Sequence, residues 1–195
     1  YNAPLDVIDH PEKACRTAKE MIDKLKEINS SFKQKGLPPV DIGIGVNTGY
    51  AVVGNMGADM RFDYTAIGDT VNLASRLEGQ NKYYGTHIIL SEFTASKVKD
   101  KFMLREIDLM RVVGKEKPVA IFELITDGNA KLAEGFSEAL RVYRAKGFQN
   151  ALDIFTGLLG EYSDPVAKLY AERCREYIQT PPPPDWDGVF ISSKK

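Results

Sequence analysis

Cysteine is scarce in this chain: Cys15 and Cys174 are the only two among 195 residues. Two thiols are too few for a disulfide scaffold or a thiolate metal site, which points to a reducing, cytoplasmic setting. That setting includes the cytoplasmic part of a membrane-anchored receptor. An excess of either charge is also missing. Lys and Arg number 26 and Asp and Glu 27, for a formal net charge of −1. Nucleic-acid and membrane-surface binders need clustered positive charge, so neither partner is expected. No run reaches the ~20 consecutive apolar residues of a membrane span, and nothing resembles a signal peptide. The opening Tyr1-Asn2-Ala3-Pro4 has no initiator Met and reads as a cut from something longer. What is present, 43% hydrophobic and 27% charged residues, is the mixture of a soluble globular chain. The length suits one domain with an appendage, or two small units.

The first strong periodicity covers residues 11–35, where Ala14, Ala18, Met21, Ile22, Leu25, Ile28 and Phe32 recur at three- and four-residue spacing. It predicts an amphipathic helix, with Asp9 as candidate N-cap, Pro11 near the first turn and Gly36-Leu37-Pro38-Pro39 as its stop. Two β-rich runs follow, 40–46 and 50–55. Joined by Asn47-Thr48-Gly49, they read as a tight hairpin. A second helix is expected over 69–79, strands over 86–90, 102–107, 109–112 and 119–124, and a short helix from Ser91, whose side chain could cap it. This mixture predicts an α+β sandwich, a sheet with helices on one face.

After Asp127-Gly128-Asn129 the pattern turns helical, over 130–146, 148–162 and 165–179. The breaks at Gly147 and Ser163-Asp164-Pro165 are short, so consecutive helices should pack antiparallel. Leu140 with Tyr143, and Ala151 with Ile154 and Phe155, resemble the tetratricopeptide pattern. About one and a half units are too few for a free-standing array, so a docked appendage is expected. Pro181-Pro182-Pro183-Pro184 is a stiff polyproline stretch, and Trp186, the only Trp, is expected to pack back onto the body. The chain thus divides into residues 1–127, an all-α extension over 128–180 and a Pro-rich tail over 181–195.

Two polar residues stand out on chemistry. Asn72 and Arg76 are four apart on the expected second helix, so they share a face, and both lie in its first two turns. A helix N-terminus offers N–H groups and a positive dipole to anionic oxygen, and Arg adds a charged fork matched to phosphate. Spacing alone does not separate this from an ordinary solvated face on a helix capped by Asp69. The glycines of Gly43-Ile44-Gly45 and Gly54-Asn55-Met56-Gly57 mark either a ligand close to the backbone or strand kinks and turns.

These residues belong to longer runs. Ile42-Gly43-Ile44-Gly45-Val46-Asn47-Thr48-Gly49, then Val53-Gly54-Asn55-Met56-Gly57, and above all Tyr64-Thr65-Ala66-Ile67-Gly68-Asp69-Thr70-Val71-Asn72-Leu73-Ala74-Ser75-Arg76-Leu77-Glu78, resemble the catalytic domain of class III nucleotidyl cyclases. The resemblance covers about residues 1–125. It implies a ferredoxin-like sandwich that converts ATP or GTP to the 3′,5′-cyclic nucleotide and pyrophosphate. By the same resemblance Asn72 orients the ribose and Arg76 stabilises charge on the transferring phosphate, roles that suit a reaction governed by positioning and charge. Thr65 and Ile67 take substrate-binding positions. Thr65 stands at the base-selecting one, as in a bacterial subclass of adenylate cyclases, and its hydroxyl can donate to and accept from a purine edge. ATP is therefore expected ahead of GTP. Lys115 is the candidate for the triphosphate, since Val113 replaces the first Lys of the family's Val-Lys-Gly-Lys turn; a solvated hairpin lysine is the alternative.

The resemblance also defines what the chain lacks. Family members bind Mg²⁺ or Mn²⁺ through a pair of Asp residues on strands before the first long helix, and a Lys contacts the base. Tyr1-Asn2-Ala3-Pro4-Leu5 matches the stretch just after the second Asp, while Asp6 and Asp9 fall in the following loop. Hard cations need converging oxygens, and no metal ligand is assigned in this chain. Active sites of the family form between protomers, the metal Asp residues from one and the Asn–Arg pair from the other. The expectation is therefore part of a bacterial adenylate cyclase, inactive alone, prone to associate, and completed by a homodimer partner or a complementing protomer. The competing expectation is a non-catalytic cyclase-like module for dimerisation or regulation, with its C-terminal helices as the docking surface.

Overall fold

Four consecutive buried residues form the strand β4 (Ile88–Ser91), and an apolar run without alternation marks a strand covered on both faces. This strand lies at the centre of the computed structural model, which describes residues 1–58, 61–111, 118–126 and 128–189. On one face Ile88 and Leu90 meet Cys15, Ala18 and Ile22 of α1 (His10–Gln34) and Val98 of α3 (Glu92–Val98). On the other, Ile89 joins Leu73, Leu77 and Tyr84 of α2 (Asp69–Tyr84). The same cluster takes in the apolar stripes of α4 (Ala130–Arg144), α5 (Phe148–Tyr162) and α6 (Pro165–Gln179). The class is α+β as expected, but helices cover both faces of the sheet rather than one.

The sheet has the order β1-β4-β6-β5. β1 (Ile44–Val46) runs parallel to β4, while β6 (Val119–Leu124) is antiparallel to both β4 and β5 (Leu104–Met110). A separate two-stranded sheet pairs β2 (Val52–Ala58) with β3 (Arg61–Ile67). This corrects the hairpin expected between residues 40–46 and 50–55. β1 takes β4 as its partner, and β2 takes β3, a strand to which the sequence pattern assigned no element. The connection explains the difference. Asn47 donates from Nδ2 to the Thr70 carbonyl at 2.8 Å and accepts from Ser91 Oγ at 2.6 Å. Thr48 and Thr94 share a hydroxyl–hydroxyl bond of 2.9 Å. A connection tied to the starts of α2 and α3 leads the chain away from β1 instead of folding it back.

Other boundaries shift for local reasons. α2 continues to Tyr84 and ends at Gly85, whose φ of +67° is the left-handed cap conformation that glycine adopts freely. The strands expected over 102–107 and 109–112 are, within the described residues, which stop here at 111, the single strand β5, irregular between Glu106 and Asp108. Asp9 stands at the N-cap of α1 as expected, but its side chain accepts no backbone N–H there and pairs with Lys13 at 3.1 Å instead. Asp69 is the first residue of α2 rather than its cap, which is Gly68 at φ +139°. Ser91 does cap α3, accepting from the Thr94 N–H at 3.3 Å.

The C-terminal helices pack antiparallel. Tyr143 meets Phe148 near the first break and Phe136 meets Phe155 further along, while Phe148 pairs with Tyr177 and Phe155 with Tyr170. Trp186 packs on Tyr143, Phe148 and Tyr177, with its indole N–H donated to the Val189 carbonyl at 2.6 Å. Arg105 of β5 crosses the seam between sheet and extension. It makes two bonds to Asp164, at 3.0 and 2.8 Å, and one from Nε to Glu123 at 2.6 Å. Asp164 also caps α6 by accepting from the Ala167 N–H at 2.8 Å. No described helix is long and apolar enough to cross a membrane.

Candidate active site

Two glycines set where α2 lies. A Cβ built on Gly45 would stand 2.2 Å from the Ala74 carbonyl oxygen and 2.4 Å from the Glu78 nitrogen, and one on Gly43 would stand 3.0 Å from the Glu78 carbonyl. The backbones of β1 and α2 therefore touch, and these glycines serve helix packing rather than ligand approach. Buried Asn81 completes the seam, donating to the Ile44 carbonyl at 3.2 Å and accepting from Thr86 Oγ1 at 3.0 Å. Gly45→Ala is accordingly expected to destabilise the fold by several kcal/mol, since backbone on both sides must move. A urea melt checks this, and a midpoint equal to that of the parent chain would refute it.

Asn47, which the sequence pattern offered only as a turn residue, holds the other end of the helix. Its bonds to Thr70 and Ser91 join the first turn of α2 to β4 and α3. The signal was present as a polar set, Asn47, Ser91 and Thr94, but its members are dispersed along the chain.

Thr65 and Ile67 are two apart on β3 and so share one face of the small sheet. The cross-strand partner of Thr65 is Gly54, where an added Cβ would meet nothing within 4 Å, so the space beside Thr65 is open. Ile67, paired with Val52, is itself 52% exposed. β3 passes through Gly68 directly into α2, whose N–H groups at Val71 and Asn72 bond back to the Gly68 carbonyl at 3.0 and 3.1 Å. Asn72 and Arg76 follow in the first two turns, both exposed, on a stripe beside the buried Leu73 and Leu77. They stand one turn apart, about 6 Å along the axis. Base-reading and phosphate-facing candidates thus come from two consecutive elements joined by a single glycine.

The expected triphosphate residue, Lys115, lies outside the described residues. Among the described residues no three His, Cys, Asp or Glu side chains are placed to hold a metal ion. Cys15 and Cys174 are both fully buried, and burial pushes their thiols up to about 12, so neither supplies a thiolate at neutral pH.

Residues 3–125 match the model of the adenylate and guanylate cyclase catalytic domain. The chain belongs to that family. Adenylate cyclase 1 of Rhizobium meliloti (strain 1021) is 41% identical over 125 residues, which cover 64% of this chain and 19% of that protein. Among solved structures, the adenylyl cyclase CyaB from P. aeruginosa aligns with a TM-score of 0.55 and 33% identity over 65% of each chain. The guanylyl cyclase Cya2 aligns with a TM-score of 0.56 and 32% identity, over 67% of this chain and 65% of its own. The cyclase domain therefore spans about a fifth of the curated relative and just under two thirds of the solved cyclase structures. The expected cyclase sandwich is borne out by these neighbours. The family match stops at residue 125, so α4, α5 and α6 lie beyond it.

Proposed function

We propose that this chain supplies the Asn72–Arg76 half of an adenylate cyclase site that forms ATP's 3′,5′-cyclic product and pyrophosphate at the interface with a second protomer. One observation carries the reading. In a chain of the cyclase catalytic family, Asn72 and Arg76 stand exposed and one turn apart at the N-terminal end of a helix fixed by Gly45 and Asn47. The arrangement suits a negatively charged substrate arriving from outside the chain.

In the cyclisation, the ribose 3′-hydroxyl oxygen gives up its proton to solvent and bonds to the phosphorus nearest the sugar, while the bond from that phosphorus to pyrophosphate breaks. Asn72, which both donates and accepts, orients the ribose, and the Arg76 fork faces charge gathering on the phosphoryl oxygens. Thr65 reads the purine edge from the open position opposite Gly54, and Ile67 offers an apolar surface beside it. ATP is the substrate we favour over GTP, on the Thr65 hydroxyl and the likeness to adenylate cyclases. The described residues do not fit the Mg²⁺ or Mn²⁺ that the family resemblance implies. No step is assigned to a metal in this chain, and such ions would enter with the carboxylates of the second protomer.

The small sheet supports a protomer interface. Tyr50, Val52, Val53, Tyr64 and Ile67 are all exposed on or beside it, more apolar surface than an isolated two-stranded sheet keeps in water. Incubated alone with ATP and Mn²⁺, the chain is expected to form no cyclic AMP above the blank, and light scattering is expected to report a species larger than a monomer. Sustained turnover by the chain alone would overturn the half-site reading. A strictly monomeric chain that also failed to associate with a cyclase protomer would overturn the interface.

A further inference from the structure

Three elements meet on one buried carboxylate. Asp108 Oδ2 accepts from the Tyr84 hydroxyl of α2 at 2.6 Å and from Arg173 Nη1 of α6 at 2.6 Å. Its Oδ1 accepts from the Leu109 N–H at 2.7 Å. Asp108 follows the irregularity in β5, the kind of feature that re-aims a side chain. Arg173 reaches further, donating to the Tyr83 hydroxyl at 3.4 Å and lying 4.8 Å from the centre of the Tyr170 ring. Tyr170 in turn donates to the Ile107 carbonyl at 2.8 Å. Tyr84, Asp108 and Arg173 are 5%, 2% and 4% exposed. Burial and the neighbouring carboxylate hold the Tyr84 hydroxyl protonated well beyond its ordinary range, so it remains a donor.

Tyr84 is the last residue of the helix whose first two turns carry Asn72 and Arg76. That helix is tied at its start by Asn47 and at its end by this network. We infer that Tyr84 and Arg173 are positioning residues for Asn72 and Arg76, and that the C-terminal extension, acting through α6, sets the axial and rotational position of α2. The inference rests on the reading that Asn72 and Arg76 serve catalysis.

Simple docking does not call for such a network. Phe136, Tyr143, Phe155 and Tyr170 already share one apolar core with Ile89, Ile107 and Ile121 of the sheet, and buried ion pairs add little net stability over apolar packing. What they add is direction. Apolar surfaces slide, whereas a carboxylate shared by a hydroxyl and a guanidinium fixes separations to a few tenths of an ångström. A shift of about 1 Å in a positioning group costs about 100-fold in rate. The extension lies outside the residues matched to the family, so it brings to the shared cyclase fold an input at the far end of the catalytic helix.

Tyr84→Phe in the full chain tests this, since it keeps the ring and removes only the hydroxyl that bonds Asp108. Hydrogen exchange should quicken at least ten-fold over residues 70–76, about 12–21 Å along the helix from the change. With a second protomer that supplies the carboxylates, kcat should fall about ten-fold at unchanged KM for ATP. Leu152→Ala, which loosens the extension's apolar core without touching the network, should lower the Tm yet leave both readouts at parent values. Tyr84→Phe exchange confined to residues 83–85 and 105–109, with parent kcat, would overturn the inference. So would a Leu152→Ala variant that reproduced both effects. If the parent mixture makes no cyclic AMP, the cyclase reading fails, and the exchange measurement still decides whether the network positions α2.

Discussion

Arg76→Ala is expected to lower cyclic AMP formation by about three orders of magnitude or more, measured on a mixture of this chain with a protomer that brings the carboxylate half. Phosphoryl transfer gathers negative charge on oxygens that water otherwise solvates, and a single positioned arginine is worth roughly 10³–10⁵ in rate. Arg76 is exposed and belongs to none of the buried networks, so the loss should come without a change in melting temperature. Arg76→Lys keeps the charge but loses the two-pronged fork, and should restore only part of the rate. Equal activity of Arg76→Ala and the parent would remove Arg76 from the site.

The second large effect is on stability. Arg105→Met is expected to cost about 3–5 kcal/mol, a large share of the 5–15 kcal/mol typical of a domain. The guanidinium is 3% exposed and satisfies Asp164, itself 5% exposed, and Glu123, so its removal leaves the buried Asp164 carboxylate without its cation and takes a charged partner from Glu123. It also lies over the Phe136 ring at 4.8 Å, a contact that a thioether replaces only in part. Urea unfolding followed by circular dichroism measures the cost. Replacing all three, as Arg105→Met, Asp164→Ser and Glu123→Gln, should recover most of it, because no charge is then left alone and Ser still caps α6. The exposed Lys24–Glu27 pair makes the contrast, since Lys24→Ala should change stability by less than about 1 kcal/mol. A single Arg105→Met variant as stable as the parent would show that the seam is held by apolar packing alone.

The two arginines also mark how far the sequence could be read. α1, α5 and α6 fall where their periodicity places them, because each buries one stripe and the spacing of that stripe is local. The placement of Asn72 and Arg76 one turn apart on a helix was legible for the same reason, while the roles proposed for them come from the resemblance of the whole block and not from spacing. Arg105 with Asp164, and Asp108 with Arg173, were not. Partners separated by 59 and 65 positions leave no local trace, and each alone is an ordinary charged residue. Strand pairing failed on the same ground. The three residues of β1 take a partner 44 positions away, chosen through the side chain of Asn47 rather than by the turn beside it. Gly43 and Gly45 were legible as unusual but not as to cause, since the atoms that exclude a side chain there belong to a helix 29 or more residues further on.

The central claim, that this cyclase chain carries the phosphate-facing half of a shared site, is tested most directly by complementation. The second component is a class III cyclase protomer that keeps its carboxylates but has Ala at its own Asn and Arg positions, and is inactive alone. Cyclic AMP formation from ATP is then measured as this chain is titrated in. The account predicts activity that rises to saturation with added chain and disappears when the added chain carries Arg76→Ala. A mixture no more active than either component, under conditions where the two are seen to associate, would contradict it.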